Sequence, residues 1–557
     1  MEIDKNNFKI AYFSMEIALE SNIKTYSGGL GILAGDILRS AADLKLPMVG
    51  ITLLSDQGYF DQTINTGGQQ EAVSTISYDF SKLKKLKTTA IIKIGKDKVK
   101  IGAWQYLIKN ENEFTIPVYL LDTNISSNKD EYKKLTGQLY GNDKEYRLLQ
   151  EIVLGRGGFQ FLKSLGYNIK KFHINEGHGS FVAIEQFLNS NKKTIETKIA
   201  DTRARCIFTT HTPIKMAQDI FPLELVMKYQ PDFPANMPNL VDDNEVNMTK
   251  IALYFSDYIN GVALSHQTLS RQMFPDYLIH SITNGVHSVT WTSPEFQAIY
   301  DKHIPNWRAS NFALRNAFTI PLSEIWQAHQ LAKIKLLKVV KEKSGLDFKE
   351  DVFTIGFARR FTPYKRPGLL LRDMERLISI QEKVGEMQII YGGKAHPADE
   401  HGQIIIEEIN DTIKKYKDKI KIVFLEGYEM DLAKIMVAGV DLWINTPLPP
   451  NEASGTSGMK AAHNGVPQLS SYDGWWKEGY IRDKTGWTIR GEHILGNGNL
   501  DDKDAASLYE ILEKEILPIY YKDSEAWREI MRFAIGVNAS FFNTERVLRE
   551  YAQDAYL

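Results

Sequence analysis

The sequence has few of the features that mark several classes of protein. One cysteine, Cys206, stands among 557 residues, which excludes an intramolecular disulfide framework and a site built on several thiolates. No apolar run approaches the ~20 residues that a membrane span requires, and the polar start of the chain is unlike a signal peptide. The net charge is only −2, so no basic field indicates nucleic acid or an anionic membrane as a partner. We therefore expect a cytoplasmic globular protein.

What is present is the pattern of a multidomain α/β protein. The length exceeds what one hydrophobic core usually holds, and 43% apolar and 24% charged residues are ordinary for a globular chain. Apolar runs that fit buried strands lie at 353–357, 387–391, 421–425 and 442–445. Helical patterns separate them, at 367–381 and 400–416. Strands that alternate with helices predict a parallel, doubly wound sheet.

The first half of the chain begins in the same way. An apolar run at 8–13, a glycine-rich loop, a helical pattern and a second apolar run at 48–54 predict a βαβ unit. We therefore predict two Rossmann-like domains facing a central cleft, at 1–290 and 291–530. The last segment, 531–557, is expected to carry a helix that packs back on the N-terminal domain. Ligands of such sheets bind at the carboxyl ends of the strands.

Two loops that follow strands have the composition of anion sites. Residues 26–36 read Tyr-Ser-Gly-Gly-Leu-Gly-Ile-Leu-Ala-Gly-Asp, and their glycines let backbone N–H groups approach an anion. A turn that serves only packing is the alternative. Residues 356–366 contain Arg359, Arg360, Lys365 and Arg366. Because arginine matches phosphate oxygens in pairs, this loop predicts a phosphate site, with a solvated charged turn as the alternative.

A third loop places a lysine near the start of a helix. Residues 451–460 read Asn-Glu-Ala-Ser-Gly-Thr-Ser-Gly-Met-Lys, and Lys460 falls in the first turns of the predicted helix. A lysine at a concave, partly desolvated site has a lowered pKa and condenses with an aldehyde, for which bound pyridoxal phosphate is a plausible choice. On spacing alone, a surface lysine is the commoner outcome.

Histidines and short polar side chains follow further strands. They stand in His-Ile-Asn-Glu-Gly-His at 173–178, Thr-His-Thr-Pro at 210–213 and Thr-Asn-Gly-Val-His at 283–287. Such groups suit a hydroxyl-rich ligand such as a sugar. His173 and His178 lack the spacing of a helical zinc pair, so no metal is expected. For any one of these residues, a core histidine bonded to the backbone is the alternative.

Together these stretches resemble the glycogen, starch and maltodextrin phosphorylases. That family joins Glu-Ala-Ser-Gly-Thr to a following Met-Lys, as 452–460 does here. Further matching motifs lie at 12–16, 27–31, 173–178, 284–291, 392–395 and 425–428. The resemblance implies a glycosyltransferase of the GT-B type that cleaves α-1,4-glucan with inorganic phosphate, reversibly and with retention, to α-glucose 1-phosphate. A homo-oligomer is possible.

The resemblance also implies a role for each matching residue. Lys460 would hold pyridoxal 5'-phosphate as a covalent imine, and the phosphate of that cofactor would pass a proton through the substrate phosphate. The other implied cofactor contacts are Thr456, Ser457, Gly29, Tyr428 and Trp291. The implied catalytic cations are Arg360 and Lys365, which would grip the substrate phosphate, and Arg359, which stands where other members carry a lysine near the cofactor phosphate. The implied substrate contacts are Glu452, Ala453, Ser454, Gly455, Asn284, His211, Leu30, His178 and Tyr364.

Two features depart from the family pattern. Glu429 follows Tyr428 where many members have an arginine near the cofactor phosphate, so the anchoring of that phosphate is open. The first motif begins at Tyr12, which leaves no room for the regulatory extension of longer members, and we expect weak or no activation by AMP. A nucleotide-sugar-dependent glucan synthase on the same fold and an inactive glucan-binding homologue are the alternative functions.

Overall fold

The computed structural model describes residues 5–73, 78–141, 143–214, 218–491 and 499–557. Its strands are, in chain order, β1 (Ile10–Phe13), β2 (Met48–Leu53), β3 (Asp61–Ile64), β4 (Gln70–Val73), β5 (Lys84–Lys85), β6 (Ala90–Ile94), β7 (Asp97–Lys109), β8 (Thr115–Asp122), β9 (Lys171–Asn175), β10 (Cys206–Thr209), β11 (Ile220–Pro222), β12 (Val241–Asp242), β13 (Glu245–Asn247), β14 (Tyr258–Gly261), β15 (His280–Ser281), β16 (Phe353–Ala358), β17 (Met387–Gly392), β18 (Lys421–Leu425), β19 (Leu442–Asn445), β20 (Gln468–Ser471) and β21 (Gly486–Ile489).

The α-helices surround these strands. They are α1 (Gly29–Asp43), α2 (Asp130–Lys133), α3 (Lys144–Ile152), α4 (Gly158–Ser164), α5 (Phe181–Leu188), α6 (Ile195–Arg203), α7 (Leu223–Tyr229), α8 (Met248–Phe255), α9 (Leu264–Met273), α10 (Ser288–Trp291), α11 (Pro294–His303), α12 (Leu322–Ser344), α13 (Met374–Lys383), α14 (Glu400–Tyr416), α15 (Met430–Gly439), α16 (Ser457–Ala462), α17 (Trp476–Gly479), α18 (Leu500–Ile511), α19 (Leu517–Lys522), α20 (Ser524–Phe533) and α21 (Thr544–Tyr551). Within the described ranges, no helix has the length and apolar character needed to cross a membrane.

The chain divides into two units. Unit 1 comprises Met1–Tyr59, Ser74–Thr283 and Val547–Leu557, and unit 2 comprises Phe60–Val73 and Asn284–Arg546. Each unit therefore combines segments that are far apart in the sequence. The domain bounds expected above, 1–290, 291–530 and 531–557, stay a prediction.

Unit 1 is built on a mostly parallel sheet. Its strand order is β15-β14-β10-β9-β1-β2-β8-β7-β5, and β6 also pairs with β7. All neighbours from β15 to β8 are parallel, whereas β5, β6 and β8 pair with β7 in the antiparallel sense. The strand order reverses between β1 and β9, which is where a doubly wound sheet offers a ligand site.

Unit 2 is built on a fully parallel sheet with the order β18-β17-β16-β19-β20-β21. Numbered along the chain, these strands follow 3-2-1-4-5-6, the order of a Rossmann-like fold. The prediction of an α/β fold with Rossmann-like sheets is thus confirmed within each unit. Here the order reverses between β16 and β19, where Ile355 pairs with Leu442. The loops that leave these two strands are those singled out for their cations and for Lys460.

One predicted helix begins later than expected. The pattern at 367–381 predicted a continuous helix, but α13 begins only at Met374. The Asp373 side chain accepts a hydrogen bond from the Arg376 N–H at 2.9 Å and so caps the helix at this point. Residues Leu369–Leu371 form a separate short 3₁₀ turn. Local capping outweighed the apolar periodicity.

A buried charge cluster holds α12 against the start of β19. Asp441 accepts from His329 Nε2 at 2.8 Å, from Lys333 Nζ at 2.6 Å and from the Thr354 N–H at 2.7 Å. The three charged or titratable side chains are at most 1% exposed. Burial opposes the charge of Asp441, but Lys333 and His329 keep the pKa of this carboxyl below its ordinary value. Removal of one partner would leave an uncompensated charge in the interior, so the cluster stabilises the fold only when all three side chains are present.

We expect Lys333→Met to lower the free energy of unfolding by ~3–5 kcal/mol, because it leaves the buried Asp441 carboxylate without a counter-charge. The control is Lys338→Met on the same helix, where Lys338 is 76% exposed and lies 3.8 Å from Glu342, and its loss should be below ~1 kcal/mol. Urea unfolding at pH 7 measures both. The difference should shrink as the pH falls, because protonation of Asp441 removes the unpaired charge. Equal losses in the two variants would contradict this role of the cluster.

Candidate active site

In unit 2, the loops after β16 and β19 meet in a cluster of two cations and one carboxylate. Arg359 Nη2 lies 2.6 Å from Glu452 Oε2, and Lys365 Nζ contacts the same oxygen. The side chains of Arg359, Lys365 and Glu452 are 12%, 9% and 11% exposed. Among the described residues, Arg359 Nε and Nη1 have no hydrogen-bond partner. The cluster therefore has a net positive charge and donors available to an anion.

Burial and neighbouring charges shift the pKa values within this cluster. Burial, followed by the charge of Arg359, lowers the pKa of Lys365 to about 7, although Glu452 acts in the opposite direction. Burial raises the pKa of Glu452, but Lys365 and Arg359 outweigh it and bring this pKa to about 2. Glu452 is thus ionised at neutral pH while Lys365 titrates there. A second anion next to Lys365 would favour its protonated form.

The other two arginines of the loop are placed differently. Arg360 is exposed and interacts with the hydroxyl of Tyr364, whose pKa burial raises to about 12. Arg366 points into the fold, where its guanidinium donates to the carbonyl oxygens of Thr446 at 2.9 Å and Pro447 at 3.1 Å. Arg366 therefore fixes the β16 loop to the β19 loop. The sequence predicted an anion ligand for the four cations of this loop. Arg366, however, donates its hydrogen bonds to the protein itself.

A tight turn presents Glu452, and its conformation is held by the loop after β20. The turn contains the predicted substrate contacts Glu452, Ala453, Ser454 and Gly455. The Glu452 N–H donates to Asp473 Oδ2 at 2.9 Å, and the Trp475 N–H donates to the Ser454 carbonyl at 2.9 Å. Gly455 has a φ of +79°, a conformation that favours glycine. The sequence patterns did not indicate Asp473, because its role depends on the pairing of β20 with β19.

Lys460 lies inside unit 2 and not on its surface. It is only 8% exposed, and its Nζ lies 3.8 Å from the centre of the Trp291 ring. The Asn464 side chain donates to the carbonyl oxygens of Lys460 at 3.0 Å and of Trp291 at 2.8 Å, so it ties α16 to α10. The surface-lysine alternative is therefore wrong. Lys460 and Trp291, which the resemblance implies as cofactor contacts, are neighbours in the structure.

The remaining predicted contacts in unit 2 offer different groups to a ligand. The Ser457 hydroxyl is engaged, since it donates to Asn445 Oδ1 at 3.1 Å and accepts from Trp443 Nε1 at 3.0 Å. Thr456 is the N-cap residue of α16 and makes no side-chain capping bond. Burial raises the pKa of Tyr428, against the nearby charge of Arg359. Asn284, a predicted sugar contact, is 8% exposed.

The negative charge of Glu429 is paired. Lys394 Nζ contacts the Glu429 carboxylate and lies 3.3 Å from the carbonyl oxygen of Phe60. Lys394 follows β17 within the motif 392–395, for which the sequence predicted no role of its own. Glu429 therefore adds no unbalanced negative charge beside Tyr428.

In unit 1, Glu16 occupies the glycine loop with a carboxylate of the chain itself. It accepts from the N–H groups of Ser27 at 2.7 Å and Gly28 at 3.2 Å, and the Tyr140 hydroxyl donates to it. Part of the expected anion site is thus filled by the protein. Gly29, at the start of α1, is exposed, and a Cβ there would meet no atom within 4 Å. Leu30, the next residue, is half-buried.

A partly buried network of polar and charged side chains connects this loop to His178. His178 Nε2 lies 3.1 Å from Asp219 Oδ2, and Arg147 Nη2 lies 3.0 Å from the same oxygen. The Arg147 guanidinium stacks 4.3 Å above the Tyr140 ring, whose hydroxyl bonds Glu16. The bonds of Arg147 to Asp219 and of Tyr140 to Glu16 join residues far apart in the sequence, so no local motif could have indicated the network.

His211 is held as a neutral hydrogen-bonding group. Burial first, and then neighbouring histidines, lower its pKa to about 3. Its Nε2 donates to Asn175 Oδ1 at 2.7 Å, which leaves Nδ1 as an acceptor for a hydroxyl group. Glu176 accepts from the N–H of His211 and the hydroxyl of Thr212, both at 2.8 Å, and holds a strained φ of +68°.

His173 is a core histidine, but side-chain hydroxyls and not the backbone satisfy its ring. It is 1% exposed, and its ring nitrogens bond the hydroxyls of Tyr556 at 2.7 Å and Thr209 at 2.9 Å. In the part of the chain that the structure describes, no group of three or more histidine, cysteine, aspartate or glutamate side chains is arranged to hold a metal ion.

Comparison with known proteins supports the sequence resemblance. A family model described as Carbohydrate phosphorylase matches residues 234–486. The chain is 35% identical to a maltodextrin phosphorylase of Thermococcus litoralis, covering 98% of this chain and 70% of the relative. It is 35% identical to a glycogen phosphorylase of Aquifex aeolicus, covering 98% and 86%, and 32% identical to one of Mycobacterium tuberculosis, covering 98% and 70%.

We expect sulfate binding to weaken about tenfold between pH 6 and pH 8, because the protonated fraction of Lys365, with its pKa of about 7, falls by roughly that factor. Sulfate keeps its charge over this range, unlike phosphate. Isothermal titration calorimetry measures the dissociation constant. In Lys365→Arg, which keeps its charge, the affinity should be nearly independent of pH. A parallel decline in both proteins would show that Lys365 is not the titrating group.

Proposed function

The chain belongs to the carbohydrate phosphorylase family, and on that premise we propose that it is an α-1,4-glucan phosphorylase. It transfers the non-reducing terminal glucosyl unit of glycogen or maltodextrin to inorganic phosphate, reversibly and with retention, and forms α-glucose 1-phosphate. Relatives named maltodextrin phosphorylase and glycogen phosphorylase, each matching 98% of the chain, support this activity. The proposal includes a cytoplasmic location, no nucleic-acid or membrane partner, and a possible homo-oligomer.

The observation that carries the proposal is the buried cluster of Arg359, Lys365 and Glu452. Arg359 and Lys365 converge on one oxygen of Glu452, and their positions are set before a ligand binds. These three side chains form a preorganised anion site, which we call the phosphate seat. A phosphate dianion would share these cations with Glu452 and take up the unused donors of Arg359. The exposed Arg360 is proposed as a further cation that contacts the substrate phosphate.

We propose that Lys460 holds pyridoxal 5'-phosphate through its Nζ. The residues present fit that group: the lysine is nearly buried, and an aromatic ring covers its amine. When bound, the phosphate of this cofactor supplies a proton donor and acceptor beside the substrate phosphate. Trp291, Tyr428 and Thr456 would line it. The Ser457 hydroxyl is already engaged, so Ser457 would contribute through its backbone.

The residues of this chain then have separate tasks in the reaction. Arg359, Arg360 and Lys365 bind the substrate phosphate and stabilise the negative charge that lies close to the anomeric carbon. Glu452, which is ionised because its pKa is about 2, accepts hydrogen bonds from hydroxyl groups of the glucosyl ring. Ala453, Ser454 and Gly455 offer backbone groups to the same ring. The other proposed substrate contacts are Asn284, His211, His178, Leu30 and Tyr364. Gly29 is proposed as a contact of the cofactor. The His211 Nδ1 acceptor suits a sugar hydroxyl.

The Lys460→Ala variant should lose turnover by at least ~10³-fold, because the proton-transferring group has no attachment. Borohydride reduction of the wild-type protein, followed by peptide mapping, should place a pyridoxyl group on Lys460 and on no other lysine. Lys484→Ala is the matched control, since Lys484 is exposed and packs over the Phe533 ring in the same unit. A pyridoxyl label elsewhere, or full activity of Lys460→Ala, would refute the assignment.

A further inference from the structure

The hairpin β3–β4 inserts two buried glutamines into unit 2. Gln62 and Gln70 are 4% and 9% exposed, although they belong to a short hairpin whose other strand residues are at least partly exposed. Gln62 Nε2 donates to Gln70 Oε1 at 2.9 Å, so the two amides form one network. Buried amides of this kind are kept in place by their hydrogen bonds.

These amides bind the loops that follow two neighbouring strands of the sheet. Gln62 donates to the Gly393 carbonyl at 2.8 Å and accepts from the Gly427 N–H at 3.2 Å, so one side chain joins the loop after β17 to the loop after β18. Gln70 donates to the Ala395 carbonyl and accepts from the Ala395 N–H, both at 2.9 Å. The hairpin therefore fixes both loops through their backbones.

The loop after β17 in turn supports the backbone of the phosphate seat. The Arg359 N–H donates to the Gly392 carbonyl at 3.3 Å, and the Phe361 N–H donates to the Lys394 carbonyl at 2.9 Å. Gly393 has a φ of +131°, and a Cβ on it would collide with the Arg359 carbonyl. No side chain separates these two backbones. Movement of Gly393 would therefore move Arg359.

The loop after β18 leads directly from Gly427 to Tyr428 and Glu429. The Gln62 bond to the Gly427 N–H thus lies one residue from Tyr428 and two from the ion pair of Glu429 with Lys394. The Phe60 carbonyl, at the start of the same hairpin, lies 3.3 Å from Lys394 Nζ. The hairpin therefore contacts both the loop that carries Lys394 and the loop that carries Glu429.

We propose that Gln62 and Gln70 are positioning residues of the phosphate site, which set the place of Arg359 and of the Lys394–Glu429 pair without touching substrate. The inference rests on the proposed function for the identity of the anion. Without the amide of Gln62, the Gly393 carbonyl and the Gly427 N–H lose their buried partners and the two loops relax. A misplacement of ~1 Å is sufficient to lower the rate of an active site by about 10²-fold, and we expect the anion affinity to fall as well.

The test is Gln62→Met in the full-length holoprotein, because methionine keeps the length and removes both hydrogen bonds. We expect the dissociation constant for sulfate and the KM for phosphate to rise about tenfold, while the KM for maltoheptaose changes less than about twofold. The matched control is Gln69→Met. Gln69 lies in the same hairpin, but its side chain is exposed and bonds Glu407 at 3.0 Å, so its substitution should leave both anion constants unchanged.

Unchanged sulfate affinity in Gln62→Met would overturn the proposal, as would equal weakening of sulfate and maltoheptaose, which indicates general damage. If Gln62→Met does not fold, Gln70→Met tests the same support, because Gln70 bonds the backbone of Ala395 in the loop after β17. The expected and the contradicting results are the same. If the wild type binds sulfate but performs no phosphorolysis, the proposed function fails while the sulfate comparison still decides the positioning role.

Discussion

One carboxylate, Glu452, holds together two cations that would otherwise repel each other. At an effective dielectric constant near 20, two unit charges ~4 Å apart interact by about 4 kcal/mol, so Arg359 and Lys365 need a shared counter-charge to converge. The need for that counter-charge links the loop after β16 to the loop after β19, on either side of the point where the strand order reverses. Because the seat is assembled beforehand, an incoming phosphate does not have to organise it.

Much of the surrounding structure serves to keep this seat in place. Asp473 accepts a hydrogen bond from the backbone of Glu452. Arg366 joins the loop after β16 to the loop after β19. The glutamine hairpin supports the backbone of Arg359 from the side of β17. Lys460 lies on the helix that continues from the Glu452 turn, so the same segment that presents the carboxylate also places the lysine. A change in any of these supports is expected to appear first as altered anion affinity.

The sequence predicted the features that depend on local pattern and failed where distant residues meet. Apolar patterns predict the strand Lys421–Leu425 and the helix Glu400–Tyr416. Composition predicts the cationic loop at 356–366. Spacing alone favoured a surface position for Lys460, and only the resemblance to a family indicated otherwise. The roles of Arg366, Asp473, Gln62 and the Glu16 network depend on partners tens to hundreds of residues away. Such pairings are set by sheet register and by the inserted hairpin, which no window of sequence contains.

The most direct test of the account is to follow phosphate itself. Phosphorus NMR of the purified protein with maltoheptaose and inorganic phosphate should show phosphate consumed and α-glucose 1-phosphate formed in equal amounts, with the coupling pattern of the α anomer. Loss of the reaction when phosphate is replaced by a nucleotide sugar is expected. Unchanged phosphate together with glucosyl transfer from a nucleotide sugar, or release of free glucose, would contradict the central claim that the Arg359–Glu452–Lys365 cluster is a seat for the attacking phosphate.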